Sequence, residues 1–332
     1  MIPTNGMVVR WVVCILMLLP LLAIGKDKRQ QEAVALLAKA RELSDIRCEG
    51  CPAFRMKARV RVWDLKGKPI DGIYTLVWAS PRQWRDEISL PNFTQARVGG
   101  GNKLRQRRSP RFLPVQMFRL METLDFTRRL RPGLEGQAWK IKKHTTSKCI
   151  ELRFTLEPRR ELCFDSRDGR LLREQVRGPS ALTYEYGDYS LWGKRLIPRL
   201  LRSLEDDAAF AEARVEELTV PEQLSPESFA APPGSEEWPS CAEPEPASML
   251  HQPPPRYPEQ ARWAGITGVV SVYGVIGVDG KAQRMTVVRS AGTELDRAAL
   301  SAIENWRYRP SMCAGTPIPV ETLIEIRFAL SR

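Results

Sequence analysis

The chain has 332 residues, room for about two domains, with 43% hydrophobic and 27% charged residues and a net charge of +12. That balance is ordinary for a folded protein and excludes disordered or fibrous chains. A cationic excess of this size asks for an anionic partner or for a solvated, charged surface, and the N-terminus bears on which partners are open to it.

Residues 1–25 read as an export signal. Arg10 supplies the positive flank, residues 11–24 are an apolar run too short to span a bilayer comfortably, and Ala23-Ile24-Gly25 places small residues at the cleavage positions. Lys26 is then the first mature residue and the location is the periplasm; an uncleaved inner-membrane anchor is the alternative. Cys14 has no lipobox-like surroundings, which argues against a lipoprotein. Of seven cysteines, removal of Cys14 leaves Cys48, Cys51, Cys149, Cys163, Cys241 and Cys313. An even set in an exported chain reads as disulfides. Cys149 and Cys163 lie on adjacent predicted strands, Cys241 with Cys313 would tie a linker to the last domain, and Cys48 with Cys51 would close a tight loop. A redox Cys-x-x-Cys wants a strand-to-helix setting, whereas Cys51 precedes a strand. A four-thiolate zinc site wants a second close pair, so no metal is expected.

The hydropathy pattern predicts a helix over 30–43 with Val34 and Leu37, joined by Leu36 and Ala40, facing inward. Strands follow. In 55–62 the positions Met56, Ala58, Val60 and Val62 alternate with Arg55, Lys57, Arg59 and Arg61, one apolar and one solvated face. Further strands are predicted at 73–79, 83–90, 93–98 and 103–107, with a hairpin at Gly99-Gly100-Gly101-Asn102. A helix over 114–124 carries Val115, Phe118, Met121 and Leu124. Strands resume at 138–143, 150–156, 161–164, 171–176, 182–189, 195–202 and 209–218. Many consecutive antiparallel strands with a helix laid across them predict a curved sheet or half-barrel over 26–218. The run Gly72-Ile73-Tyr74-Thr75-Leu76-Val77-Trp78-Ala79-Ser80-Pro81-Arg82-Gln83-Trp84-Arg85-Asp86-Glu87-Ile88 resembles the early strands of lipoprotein-carrier domains of the LolA, LolB and RseB type. The resemblance implies a hydrophobic cavity for acyl chains or a lipoprotein, lined by Tyr74, Leu76, Trp78, Trp84 and Ile88; a closed core is the competing reading of the same residues.

Lys103, Arg105, Arg107, Arg108 and Arg111 form one basic cluster and Arg128, Arg129 and Arg131 another. In an exported protein nucleic acid is excluded as a partner, which leaves an anionic membrane surface or acidic wall polymer, or a charged sheet edge kept from aggregating. Residues 219–252, rich in Pro, Glu and Ser, read as a linker, reaching about 100 Å at roughly 3 Å per residue when counted to Pro255.

The last domain, 253–332, has a short helix predicted over 257–263, which starts after Pro253-Pro254-Pro255 and is stopped by Gly265. Strands at 267–278 and 283–290 are joined by Asp279-Gly280, the strongest short hairpin signal. Leu295, Ala298, Ala299, Ala302, Ile303 and Trp306 recur at helical spacing behind Thr293 as a cap, and 320–328 is a third strand. The fold class is therefore α+β, a half-barrel plus a three-stranded antiparallel sheet with one packed helix. Pro255-Arg256-Tyr257-Pro258-Glu259-Gln260-Ala261, the segment 268–281, Trp306-Arg307-Tyr308-Arg309-Pro310 and Gly315-Thr316-Pro317 closely resemble the C-terminal domain of TonB-family proteins. The resemblance implies that the last strand, through Val320, Thr322, Ile324 and Ile326, pairs with an extended peptide of an outer-membrane receptor or other envelope protein. Tyr257 and Pro258 mark the domain entrance, as packing devices or as contacts. TonB's membrane helix carries a serine and a histidine for coupling to the proton motor; residues 11–24 have neither, and a folded domain stands where TonB has a Pro-rich rod. An exported adapter is therefore favoured over a membrane-anchored energy transducer. His144 and His251 are the only two histidines and no catalytic or phosphate-binding motif appears, so neither enzymatic activity nor a cofactor is expected.

Overall fold

The computed structural model describes residues 21–130, 134, 137–154, 158–241 and 244–330. Most of the export signal, 1–20, and Arg131 of the second basic cluster lie outside the described residues, as does the end of the strand expected over 150–156. The first helix, α1 (Leu21–Ser44), begins inside the predicted signal and passes over Lys26 without a break. No described helix is long and apolar enough to cross a membrane. α1 buries Ala33, Leu37 and Ala40, whereas Val34 is 44% exposed, so the inward stripe is rotated from the predicted one.

A first meander contains β1 (Phe54–Trp63), β2 (Pro69–Ser80), β3 (Gln83–Leu90), β4 (Phe93–Gly100) and β5 (Lys103–Ser109). After α2 (Val115–Leu124) and a 3-10 turn at Phe126–Leu130, a second meander contains β6 (Ala138–Lys143), β7 (Ser147–Leu152), β8 (Arg159–Asp165), β9 (Leu171–Arg177), β10 (Ala181–Trp192), β11 (Arg195–Glu205) and β12 (Ala208–Thr219). Antiparallel pairing of β1 with β12 fuses the two meanders. Register shifts between Lys57 and Ala58, Trp78 and Ser80, Ala138 and Lys140, Cys163 and Phe164, and Ser203 and Leu204 add twist at five places, which is how so wide a sheet curves. The alternation of β1 holds from Ala58 on, with Ala58, Val60 and Val62 buried and Arg59 and Arg61 exposed, whereas Met56 and Lys57, beside the register shift, are both half-buried. The buried row faces α2, which buries Val115, Met117, Leu120 and Leu124. Phe118 and Met121, predicted inward, are only half-buried, because the helix turns a different face with Arg119 at 4% exposure. One core unites α1, α2 and both meanders.

The segment expected to be a free linker is folded onto the sheet. β13 (Glu236–Pro239) pairs antiparallel with β5, completing the 13-stranded order β13-β5-β4-β3-β2-β1-β12-β11-β10-β9-β8-β7-β6. Arg85 and Arg107 donate to the carbonyls of Ala230 and Pro233 at 2.7 and 3.1 Å. Proline at 239 ends the strand at a sheet edge, where a missing N–H costs nothing. Further on, β14 (Ser248–His251) pairs with β17 (Arg307–Arg309) of the last domain. The segment is thus a strap rather than a tether, and the reach of about 100 Å does not apply.

In the last domain α3 (Glu259–Trp263) precedes β15 (Gly268–Ile276), β16 (Ala282–Arg289), α4 (Thr293–Glu304), the short β17, β18 (Ser311–Cys313) and β19 (Thr316–Ile318), and β20 (Val320–Phe328). The main sheet has the order β16-β15-β20. The hairpin at Asp279-Gly280 forms as predicted, with Gly280 at φ 71°. A Cβ there would stand 2.1 Å from the Tyr308 carbonyl oxygen, so the site demands glycine on two grounds. Gly292, not Thr293, occupies the N-cap of α4, with no side-chain cap. Leu295, Ala299 and Ile303 of α4, with Trp306, pack on Val270, Val272, Ile324, Ile326 and Phe328. Three disulfides join Cys48 to Cys51, Cys149 to Cys163 and Cys241 to Cys313, with Cα–Cα distances of 5.2, 4.0 and 5.8 Å. The second joins directly opposed residues of β7 and β8, and the third anchors the strap to β18.

Candidate functional site

β20 is a β-branched strand that pairs with β15 along its whole length, from Gly268 opposite Phe328 to Ile276 opposite Val320. It ends the sheet order, and among the described residues its main chain bonds to no other strand. Its outer edge therefore offers a row of amide and carbonyl groups at the spacing of an extended chain.

The two side-chain rows differ. Val320, Thr322, Ile324 and Ile326 all lie on the α4 side; Ile324 and Ile326 are 6% and 5% exposed, while Val320 and Thr322 are half-buried. Ile324 and Ile326 are thus core residues whose contribution to an added strand would come from the backbone. The opposite row, Glu321, Leu323, Glu325 and Arg327, was not singled out from the sequence, and it faces the large-sheet domain. Arg108 of β5 clamps Glu321 with bonds of 2.8 and 2.9 Å, and Tyr273 donates its hydroxyl to the same carboxylate. Arg119 of α2 bonds Glu325. Arg289 of β16 reaches Glu205 through two bonds of 2.6 Å, and Arg327 bonds the Pro179 carbonyl. Burial alone would raise the Glu321 carboxyl, but the hydrogen bonds and charge of Arg108 hold it below the ordinary carboxylate value. Glu205 behaves alike, burial being outweighed by Arg289.

These pairings revise the reading of the basic clusters. Arg108 is 5% exposed, Lys103 and Arg105 share Glu237 at 2.7 and 3.5 Å, and Arg129 lies 3.2 Å from Glu174. The arginines of β5, and Arg129 in the turn after α2, are largely spent on partners within the chain. Of the first cluster, Arg111 is the one that is exposed and meets no partner among the described residues.

Tyr257 packs edge-on against Phe328 at 5.5 Å and donates to the Ile266 carbonyl, while Pro258 takes the N-cap position of α3. Both act as a clasp holding α3 to the end of β20. In the large sheet Tyr74, Leu76, Trp78 and Ile88 are 4%, 3%, 2% and 2% exposed. Trp78 stacks on Phe54 at 5.6 Å, and Trp84 lies flat on Gly99, where a Cβ would come within 2.2 Å of its indole nitrogen. The hollow bordered by Tyr74, Leu76, Leu124 and Phe126 has a volume of about 10 Å³, the room of one water. The same residues belong to a closed core, to which α1, α2 through Met117, Leu120 and Leu124, and Phe126 and Leu130 of the turn after it all contribute.

The last domain is thus a small sheet with one packed helix and an edge strand whose outer main-chain groups meet no other strand among the described residues. Residues 253–330 match the family model described as the Gram-negative bacterial TonB protein C-terminal. Protein TonB of Vibrio cholerae serotype O1 is 38% identical over 86 residues, 26% of this chain and 35% of that protein, so the chain spans about a third of that relative's length. The solution structure of the Pseudomonas aeruginosa TonB C-terminal domain is 28% identical, with a TM-score of 0.24, covering 26% of this chain and 88% of that one. A LolA superfamily protein from Nitrosomonas europaea is 13% identical with a TM-score of 0.41, covering 60% of this chain and 97% of that one.

Proposed function

We propose that this chain is an exported, periplasmic adapter of TonB type. β20 takes up an extended peptide of an outer-membrane transporter or another envelope protein by strand addition, and the domain before it, a half-barrel, serves a lipidic or protein partner. The observation that carries the reading is the edge position of β20 with its outer main chain free, in a segment that matches the TonB C-terminal model. Each main-chain bond to an added strand contributes about 0.5–1.5 kcal/mol net, so a short peptide gains useful affinity from backbone alone. Acyl-chain entry behind Tyr74, Leu76, Trp78, Trp84 and Ile88 would require this core to open, α2 with it, since Leu120 and Leu124 pack in the same cluster.

The test is amide exchange of the full chain, followed by NMR or mass spectrometry, with and without a synthetic peptide carrying the N-terminal sequence of a TonB-dependent outer-membrane transporter. Strand addition protects the outward amides of Val320–Phe328 and leaves α4 unchanged. Protection appearing elsewhere, with β20 unaltered, would sink the reading.

A further inference from the structure

A chain of buried ion pairs runs from the core of the large-sheet domain to the proposed peptide edge. Fully buried Glu174 of β9 receives Arg160 at 2.5 Å and Arg129 at 3.2 Å. Arg129 stands 3.9 Å from Glu122 of α2, which accepts from the Tyr184 hydroxyl at 2.7 Å and from Arg119 at 3.0 Å. Arg119 also bonds Glu325 of β20. Glu325 accepts from Ser271 at 3.1 Å and lies 4.0 Å from Arg289, whose main partner is Glu205. Arg160, Arg129, Arg119 and Arg289 thus alternate with Glu174, Glu122, Glu325 and Glu205, and the alternation crosses from one domain to the other at β20.

Two features make this contact a latch rather than a permanent seam. It is mostly polar. Among the described residues Tyr273 and Val288 are those of the small domain that join the large core, while the other contacts named above are ion pairs and the bond from Arg327 to the Pro179 carbonyl, and polar interfaces between domains are the reversible kind. It also covers the row that an added strand needs. On an edge strand both side-chain rows are ordinarily open on the outer side, yet the side chains of Glu325 and Glu321 are only 10% and 22% exposed. A peptide paired to β20 would send alternate side chains to that side, into the space held by α2 and β5.

We infer that the large-sheet domain gates the β20 edge: docked through Glu321 and Glu325 it admits an extended peptide poorly, and undocking opens the edge. The inference rests on the strand-addition reading above and adds its regulation. By linkage, a peptide that binds the undocked form must itself drive undocking. Release would withdraw Glu325 from Arg119 and leave α2, whose Leu120 and Leu124 fill the large core, without its outer support. Occupancy of the two domains is then coupled, while the Cys241–Cys313 bridge keeps the strap attached to the small domain.

The experiment uses the full chain and the fluorescent transporter peptide named above as probe. Two variants weaken the latch, Glu321→Gln with Glu325→Gln on β20, and Glu205→Gln outside the peptide strand altogether. Hydrogen exchange of α2 and of β15 reports docking without reference to peptide. The expected result is faster exchange in both variants and peptide binding tighter by about tenfold, as follows when the competent state was a minor fraction. Faster exchange with unchanged or weaker peptide binding overturns the gate and leaves strand addition standing. Unchanged exchange in both variants overturns the latch itself. A peptide bound by none of the three proteins overturns the gate together with the reading beneath it.

Discussion

Replacing Glu174 by glutamine tests the energetics of the buried charges directly. The amide keeps the size of the carboxylate but removes its charge from between Arg129 and Arg160, whose side chains are 13% and 12% exposed. Some compensation survives. Arg160 still donates to the Arg129 carbonyl at 3.1 Å, and Arg129 lies over the Tyr184 ring at 3.6 Å. Breaking one member of a buried pair costs about 3–5 kcal/mol, and the surviving contacts place the expected loss near the lower bound, about 3 kcal/mol. Against a total of about 5–15 kcal/mol for a domain, that is a large fraction. Urea unfolding followed by circular dichroism reads it: with a slope of about 1–3 kcal/mol per molar, the midpoint falls by roughly 1–3 M at unchanged slope. The triple replacement Arg129→Met, Arg160→Met and Glu174→Leu should cost much less, because it leaves no buried charge without a partner, Glu122 keeping Arg119. A loss below about 1 kcal/mol for Glu174→Gln would show that water reaches these arginines and would refute a buried network.

Two further outcomes are expected. Gly280→Ala must place a Cβ against the Tyr308 carbonyl in a left-handed backbone, whereas Gly315, at φ 80°, has open space around it; the first should lower the melting stability of the last domain by at least about 2 kcal/mol and Gly315→Ala by about 1 kcal/mol, and equal losses would contradict the packing. Domain docking should also depend on pH, because burial of Glu321 and Glu205 is outweighed by their arginine partners and both carboxyls are held below the ordinary value of 4.5. Depressed carboxyls contribute stability that is full above that value and lost as pH falls through their lower folded values. Small-angle scattering should therefore show a constant compact form from neutrality down to about pH 4.5 and expansion below it, and expansion near neutrality would mean that other groups hold the domains.

Periodicity and turn chemistry are local, so they were legible in the chain. The alternation of β1, the Asp279-Gly280 hairpin, the apolar stripe of α4 and the third strand over 320–328 each depend on residues a few positions apart, and each formed. The cysteines on adjacent strands, Cys149 and Cys163, were legible for the same reason, since a hairpin brings them opposite. The strap was missed because pairing of β13 with β5 joins residues far apart in sequence, and a Pro- and Glu-rich composition speaks only of what such a segment cannot bury. The acidic row of β20 was missed for a stronger reason. Glu321 and Glu325 look like solvated positions on an edge strand until tertiary structure brings Arg108 and Arg119, 213 and 206 residues away, against them. Charge has no periodicity that names its partner. The sequence therefore determined which strand is the edge, and only the packing of one domain on the other decided that this edge is guarded.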